Sequence, residues 1–310
     1  MSLIIETRKL TKKFGNIVAV DELSFGIQQG DIYGFLGQNG AGKSTTMRML
    51  LGLIYPTSGE VFINGKSFSN SRRYLLQHIG AIIERPDMYG YLSGWDNLRI
   101  IAKLSKKSIT KARLYEVLEI TGLRGRENDL IKAYSQGMKQ RLGIAIALVH
   151  DPELLILDEP TNGLDPQGIA DVRNLVKQLS ADHGKTILIS SHLLHEIEQV
   201  ATSMLIIHKG KKIAEGKVRE LLNPNETLME VSIQPSKEIS ARLHSSDWAK
   251  YIYKINEVNM VFKMNPDQMP VLNEWLVTNG FKVLEIRSKH SLEAYFLTLT
   301  NDEAAANRTI

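Results

Sequence analysis

The chain has no cysteine, which excludes disulfide staples and thiolate metal sites and is compatible with a reducing cytosol. It also lacks any apolar run near the roughly 20 residues that cross a bilayer. The longest, Leu142 to Val149, is bounded by Arg141 and His150. At the N-terminus, Met1 to Arg8 gives no basic stretch followed by a sustained apolar one, so no secretory signal is expected. There is no internal repeat and no long Lys/Arg block. The net charge of +4 is too mild to name nucleic acid or an anionic lipid surface as a partner. What is present is ordinary for a core-forming protein of about two domains: 310 residues, 43% hydrophobic and 23% charged.

Against that background one stretch stands out, Gly37-Gln38-Asn39-Gly40-Ala41-Gly42-Lys43-Ser44-Thr45, with the spacing G-x-x-x-x-G-K-S. The apolar run Ile32–Leu36 before it reads as a buried strand, and Thr45–Leu51 after it as the start of a helix. Glycines at 37, 40 and 42 let successive backbone N–H groups turn inward onto phosphate oxygens, aided by the positive end of the following helix. In this reading Lys43 reaches the β- and γ-phosphates and the Ser44 hydroxyl ligates Mg²⁺. The stretch predicts a nucleoside-triphosphate site.

Residues 3–33 read as short antiparallel strands turning at Phe14-Gly15-Asn16 and Gln29-Gly30-Asp31, and Gly59 to Gly65 as a further strand and turn. From about 86 to 147 the periodicity becomes helical, as at Leu98, Ile101, Ala102 and at Leu114, Val117, Leu118. Two apolar strands, Leu154–Leu157 and Thr186–Ile189, alternate with a helix over Gln167–Leu179, which implies a parallel sheet covered on both faces. A linker is expected at Leu222–Asn225. Beyond it the pattern predicts strand (Leu228–Ile233), helix (Lys237–His244), strands (Tyr251–Ile255, Asn259–Lys263), helix (Asp267–Thr278) and strand (Phe281–Ile286), then a last helix over Leu292–Leu299. That βαββαβ order suits a small ferredoxin-like domain.

A phosphate loop alone leaves kinases, GTPases, helicases and transporters open. Downstream, Asp158-Glu159 follows a buried strand, where a parallel sheet places its ligands. Asp158 is read as holding Mg²⁺ through water and Glu159 as orienting or deprotonating the water that attacks the γ-phosphate. Ser135-Gln136-Gly137 opens an apolar helix, and Ser135 with Gly137 makes a second anion site that serves the γ-phosphate on another subunit. As a bare segment it is also an ordinary Ser N-cap. His192, at the end of a strand beside the phosphate edge, is expected to contact the γ-phosphate. The run His192 to Glu196 departs from the zinc order H-E-x-x-H. Phe14, ahead of the loop, either stacks on adenine or packs in the core.

Together these residues resemble the nucleotide-binding subunits of ABC transporters over about residues 3 to 222. Gly37–Thr45 is similar to Walker A, Leu154–Glu159 to Walker B, Ser135–Gln140 to the signature, Asn162-Gly163-Leu164-Asp165 to the D-loop and His192 to the switch histidine. The resemblance implies an α/β fold, a P-loop NTPase ABC cassette with parallel core sheet, antiparallel β patch and helical insert, followed by a small C-terminal α+β domain. The implied domains are 1–222 for the ATPase, 226–300 for the accessory unit and 301–310 for a frayed tail. It also implies ATP and Mg²⁺ as cofactors, with Phe14, Gly37, Asn39, Gly40, Ala41, Gly42, Lys43, Ser44 and Thr45 on the nucleotide. Ser135, Gly137 and Asp165 complete the nucleotide contacts across a homodimer. Catalysis falls to Glu159, His192 and Lys43, and the metal to Ser44, Asp158 and Glu84.

Two positions depart from the family pattern. The signature reads Tyr134-Ser135-Gln136-Gly137-Met138 and keeps the Ser and Gly that face phosphate. After the strand 79–83 the family has Gln, whereas this chain has Glu84, either at the metal and coupling position or pointing away as a surface acid. Ile83-Glu84-Arg85-Pro86 followed by Tyr91-Leu92-Ser93-Gly94 is similar to bacitracin and lantibiotic self-protection exporters, and Ser291–Leu297 to the ends of drug-exporter ATPase subunits. The resemblance therefore implies a cytoplasmic ATPase attached to separate membrane permease subunits, contacting them through about Glu84 to Leu98. The rival is a non-transport ABC ATPase acting on nucleic acid or the ribosome. It is disfavoured by the single cassette and by the lack of room for a long coiled coil.

Overall fold

In a computed structural model, described for residues 2–84, 87–105, 108–222 and 227–290, the chain divides into two compact units, Met1–Lys217 and Val218–Ile310. The division falls ahead of a short helix, Val218–Leu221, rather than at 222. Of the expected linker at 222–225 all but Leu222, together with the helix over 292–299 and the tail at 301–310, lie outside the described residues.

The first unit opens with two strands, β1 (Leu3–Phe14) and β2 (Ile17–Gln28), each 12 residues long rather than short. They pair antiparallel through several register shifts, with Phe14 opposite Ile17 at the turn. β3 (Ile32–Leu36) follows, buried along its whole length, then the glycine loop and helix α1 (Lys43–Leu50). β4 (Ser58–Ile63) and β5 (Lys66–Ser67) join the first hairpin in a four-stranded sheet of order β2-β1-β4-β5. A helix not foreseen in the sequence, α2 (Phe68–Leu75), leads to β6 (Ile79–Ile82).

The helical insert comprises α3 (Gly94–Leu104), α4 (Lys111–Ile120) and α5 (Gln136–Leu148). Ser93, Thr110 and Ser135 cap them, each side-chain oxygen accepting an N–H of the first turn. The central strands then alternate with helices: β7 (Leu154–Leu157), α6 (Pro166–Ala181), β8 (Thr186–Ser191), α7 (Leu194–Val200), β9 (Ser203–His208) and β10 (Lys211–Lys217). The last two strands were not anticipated.

These strands form a six-stranded sheet in the order β10-β9-β3-β8-β7-β6. All pairs are parallel except β9 with β10. Strands buried on both faces are mainly apolar, and β7 reads Leu-Leu-Ile-Leu, with every residue buried. One cluster of buried side chains spans this sheet, α1 and the antiparallel sheet, including Ile5, Phe25, Phe35, Met47 and Ile156.

The second unit opens with α8 (Val218–Leu221) and continues through β11 (Thr227–Ile233), α9 (Ile239–His244), β12 (Ile252–Ile255), β13 (Asn259–Lys263), α10 (Met269–Thr278) and β14 (Val283–His290). Its sheet is antiparallel in the order β12-β13-β11-β14. A separate core gathers Val231, Ile239, Phe262 and Leu272.

Candidate functional site

Four loops meet at the carboxyl edge of the parallel sheet. Leu36 of β3 lies opposite Ser191 of β8, Leu157 of β7 opposite Ile189, and Ile82 of β6 opposite Leu157. That register carries the glycine loop, Asp158-Glu159, His192 and Glu84 to one side, where open α/β sheets bind ligands.

The loop's shape is set by glycine. Gly40 and Gly42 hold φ of 81° and 110°, and a Cβ at Gly42 would stand 2.6 Å from the carbonyl oxygen of Ala19 on β2. Only glycine fits there. The first-turn N–H groups of α1, at Lys43, Ser44 and Thr45, lack carbonyl partners within the helix and form an anion-attracting end. Lys43 is only 4% exposed. Its Nζ donates to the carbonyl oxygens of Gly37 at 2.7 Å and Gln38 at 3.0 Å, and pairs with Glu159 Oε1 at 3.0 Å.

Glu159 is the hub. Its backbone sits in the left-handed region at φ 46°, uncommon for a residue with a Cβ and frequent at functional sites. Its Oε2 lies 3.2 Å from His192 Nδ1 and accepts from Asn162 Nδ2 at 3.3 Å. Ser190, fully buried, ties Glu159 to its neighbour. The Ser190 hydroxyl accepts from the Glu159 N–H at 2.8 Å and donates to Asp158 Oδ1 at 2.6 Å.

A cavity of about 720 Å³ opens above these groups, within the range of small-molecule sites, lined by Asn39, Ser44, Asp158 and Glu159. Glu84 and Asp87 line it as well, and Gln140 of α5 and Asn162 reach into it. Glu84 is at φ 63°, two-thirds exposed, and its carboxylate pairs with Arg48 on α1. It lines the cavity rim while remaining largely in solvent.

Other expected residues stand apart from this cavity. Ser135 caps α5 by accepting from Met138 N at 3.2 Å, and Asp165 caps α6 by accepting from Gly168 N at 3.0 Å. Among the described residues neither they nor Gly137 line it. Just before Ser135, Tyr134 is buried and donates to the Arg126 carbonyl at 2.7 Å; burial pushes its phenol above its ordinary pKa. Phe14 is half exposed, so core packing is not its role, and Lys12 Nζ lies 5.0 Å from its ring centre. His195 and Glu196 line a second cavity of about 270 Å³, and Glu196 accepts from the Thr161 and Ser191 hydroxyls at 2.9 and 2.6 Å. His192 alone of that run touches Glu159.

Sequence reasoning passed over Ser190, Arg48, Asp87 and the cavity role of Gln140 and Asn162. A serine pair closing the apolar strand Thr186–Ser191 was the one available signal.

A model of the ABC transporter family matches residues 20–162. The chain is 45% identical over 301 residues to the bacitracin transport ATP-binding protein BcrA of Bacillus licheniformis, covering 96% of this chain and 98% of that one. It is 39% identical over 233 residues to the lantibiotic transport ATP-binding protein SrtF of Streptococcus pyogenes, covering 73% and 99%. Among solved structures, cbiO1 of Clostridium perfringens shares the fold, with a TM-score of 0.66 at 24% identity over 79% of this chain and 95% of that one.

Proposed function

The chain belongs to the ABC transporter family as an ATP-binding subunit, and from that premise we propose that its ATPase drives an exporter of peptide antibiotics or similar amphipathic compounds. The relatives named for bacitracin and lantibiotic transport support that substrate class. No helix among the described residues is long and apolar enough to cross a membrane. We assign the translocation path to separate permease subunits, with this chain beneath them on the cytoplasmic face. Tyr89 and Tyr91, both exposed with ring centres 5.9 Å apart, lie in the segment assigned to that contact.

The observation that carries the reading is the chain of contacts Lys43–Glu159–His192 beside the glycine loop. The loop amides and Lys43 bind the triphosphate, and Phe14 takes the adenine face. Glu159 orients and deprotonates the attacking water. His192 fixes the Glu159 carboxylate through Nδ1 and offers its second nitrogen to the γ-phosphate. Ser44 and Asp158 fit Mg²⁺, which takes one or two carboxylates plus phosphate oxygens rather than a closed cage. When bound, the ion supplies neutralisation of phosphate charge.

Ser135, Gly137 and Asp165 are assigned to the nucleotide on a second copy, which makes the working form a dimer. The unit after 217 is assigned an accessory role. A role on nucleic acid gains no support from the site or the relatives. Glu159→Gln is expected to keep ATP affinity within about twofold while turnover falls about 10²- to 10⁴-fold. Hydrolysis by the purified full-length variant at the native rate removes Glu159 from this role.

A further inference from the structure

Glu84 puts a fourth carboxylate on a cavity already lined by Asp87, Asp158 and Glu159, where ATP adds further negative charge. Carboxylates gathered on one cavity repel one another unless a nearby cation or hydrogen-bond donor compensates them. Glu159 is paired with the Lys43 ammonium, and Asp158 accepts the Ser190 hydroxyl's hydrogen bond. For Glu84 the structure supplies Arg48.

Arg48 lies four residues past Ser44 on α1, so both project from one face of the helix that begins at the phosphate loop. Its guanidinium reaches the loop after β6, whose end is fastened to Asp158 by the bond from Asp158 N to Ile82 O at 2.9 Å. There Glu84 adopts a left-handed backbone that non-glycine residues seldom take, a conformation that persists where surrounding contacts hold it.

We propose that Arg48 is the positioning residue for Glu84: it holds the carboxylate at the rim and cancels its charge, so that an acid stands beside a triphosphate at little loss of affinity. The pair ties the phosphate-holding helix directly to the loop assigned to the membrane partner. The inference rests on the ATP reading above. With side chains 40% and 66% exposed, the pair is screened by water, and its effect is correspondingly modest.

The test is a cycle in the full-length chain, measuring ATP binding by calorimetry with Mg²⁺ and again with EDTA. Arg48→Met is expected to weaken binding about 2- to 5-fold, more at low salt, because Glu84 is left uncompensated. Glu84→Gln removes the cause, so the double variant Arg48→Met/Glu84→Gln should bind like Glu84→Gln alone. An equal loss from Arg48→Met in both backgrounds means that Arg48 attracts phosphate by itself and overturns the proposal, as does no loss in either. Failure of the unmodified chain to bind ATP overturns the underlying site reading instead.

Discussion

Ser190 is one buried hydroxyl with two duties: it donates to Asp158 and accepts from the backbone of Glu159. Removing it leaves the Glu159 N–H without its partner and frees the Asp158 carboxylate to rotate. Ser190→Ala is expected to lower kcat about 10- to 100-fold, the range for a residue that orients metal-binding or reacting groups, with KM for ATP little changed. Steady-state ATPase kinetics check this, with Ser190→Thr recovering much of the rate because a hydroxyl returns. That Lys43, Ser44, Asp158, Glu159 and His192 gather at one sheet edge was legible because each stands at a fixed spacing from a glycine loop or a strand end. Ser190 and Arg48 were not, since each takes its meaning from a partner more than thirty residues away in the chain.

At the scale of elements, α5 rests on the central sheet through a bare glycine. A Cβ at Gly80 of β6 would stand 2.2 Å from the carbonyl oxygen of Ala147 on α5, so the helix packs directly on strand backbone. Gly80→Ala must push α5 outward, an overpacking that destabilises by about 1–3 kcal/mol and lowers Tm by about 2–4 °C for each kcal/mol. Thermal melts check the stability, and the shift also moves Gln140, the side chain α5 sends into the cavity. The fully buried strands β7 and β8 and the helices α5 and α6 were readable because burial on both faces or along a stripe writes apolar runs into the sequence. Helix α2 was not, because Ser69 to Arg73 is polar and only Phe68 and Leu75 are buried. Edge strand β10, with no residue buried, hid for the same reason.

For the whole molecule, the separation of Ser135 and Gly137 from their own chain's cavity leads to a dimer test. Chains carrying Lys43→Ala and chains carrying Ser135→Arg should each be inactive. Mixed, they are expected to recover about a quarter of the native sites, since half the dimers are mixed and each holds one intact site. ATPase assays of the mixture check this; no recovery places each site within a single chain. The sequence by itself determined the family and the candidate site: a glycine loop, two carboxylates and a histidine, in family order, because a phosphate-binding loop constrains backbone and spacing locally. Only the tertiary structure decided how charge is balanced there. Arg48 neutralising Glu84, Ser190 joining Asp158 to Glu159, and Glu159 bridging Lys43 to His192 depend on which strand ends lie side by side, and that register is set by long-range packing of the sheet.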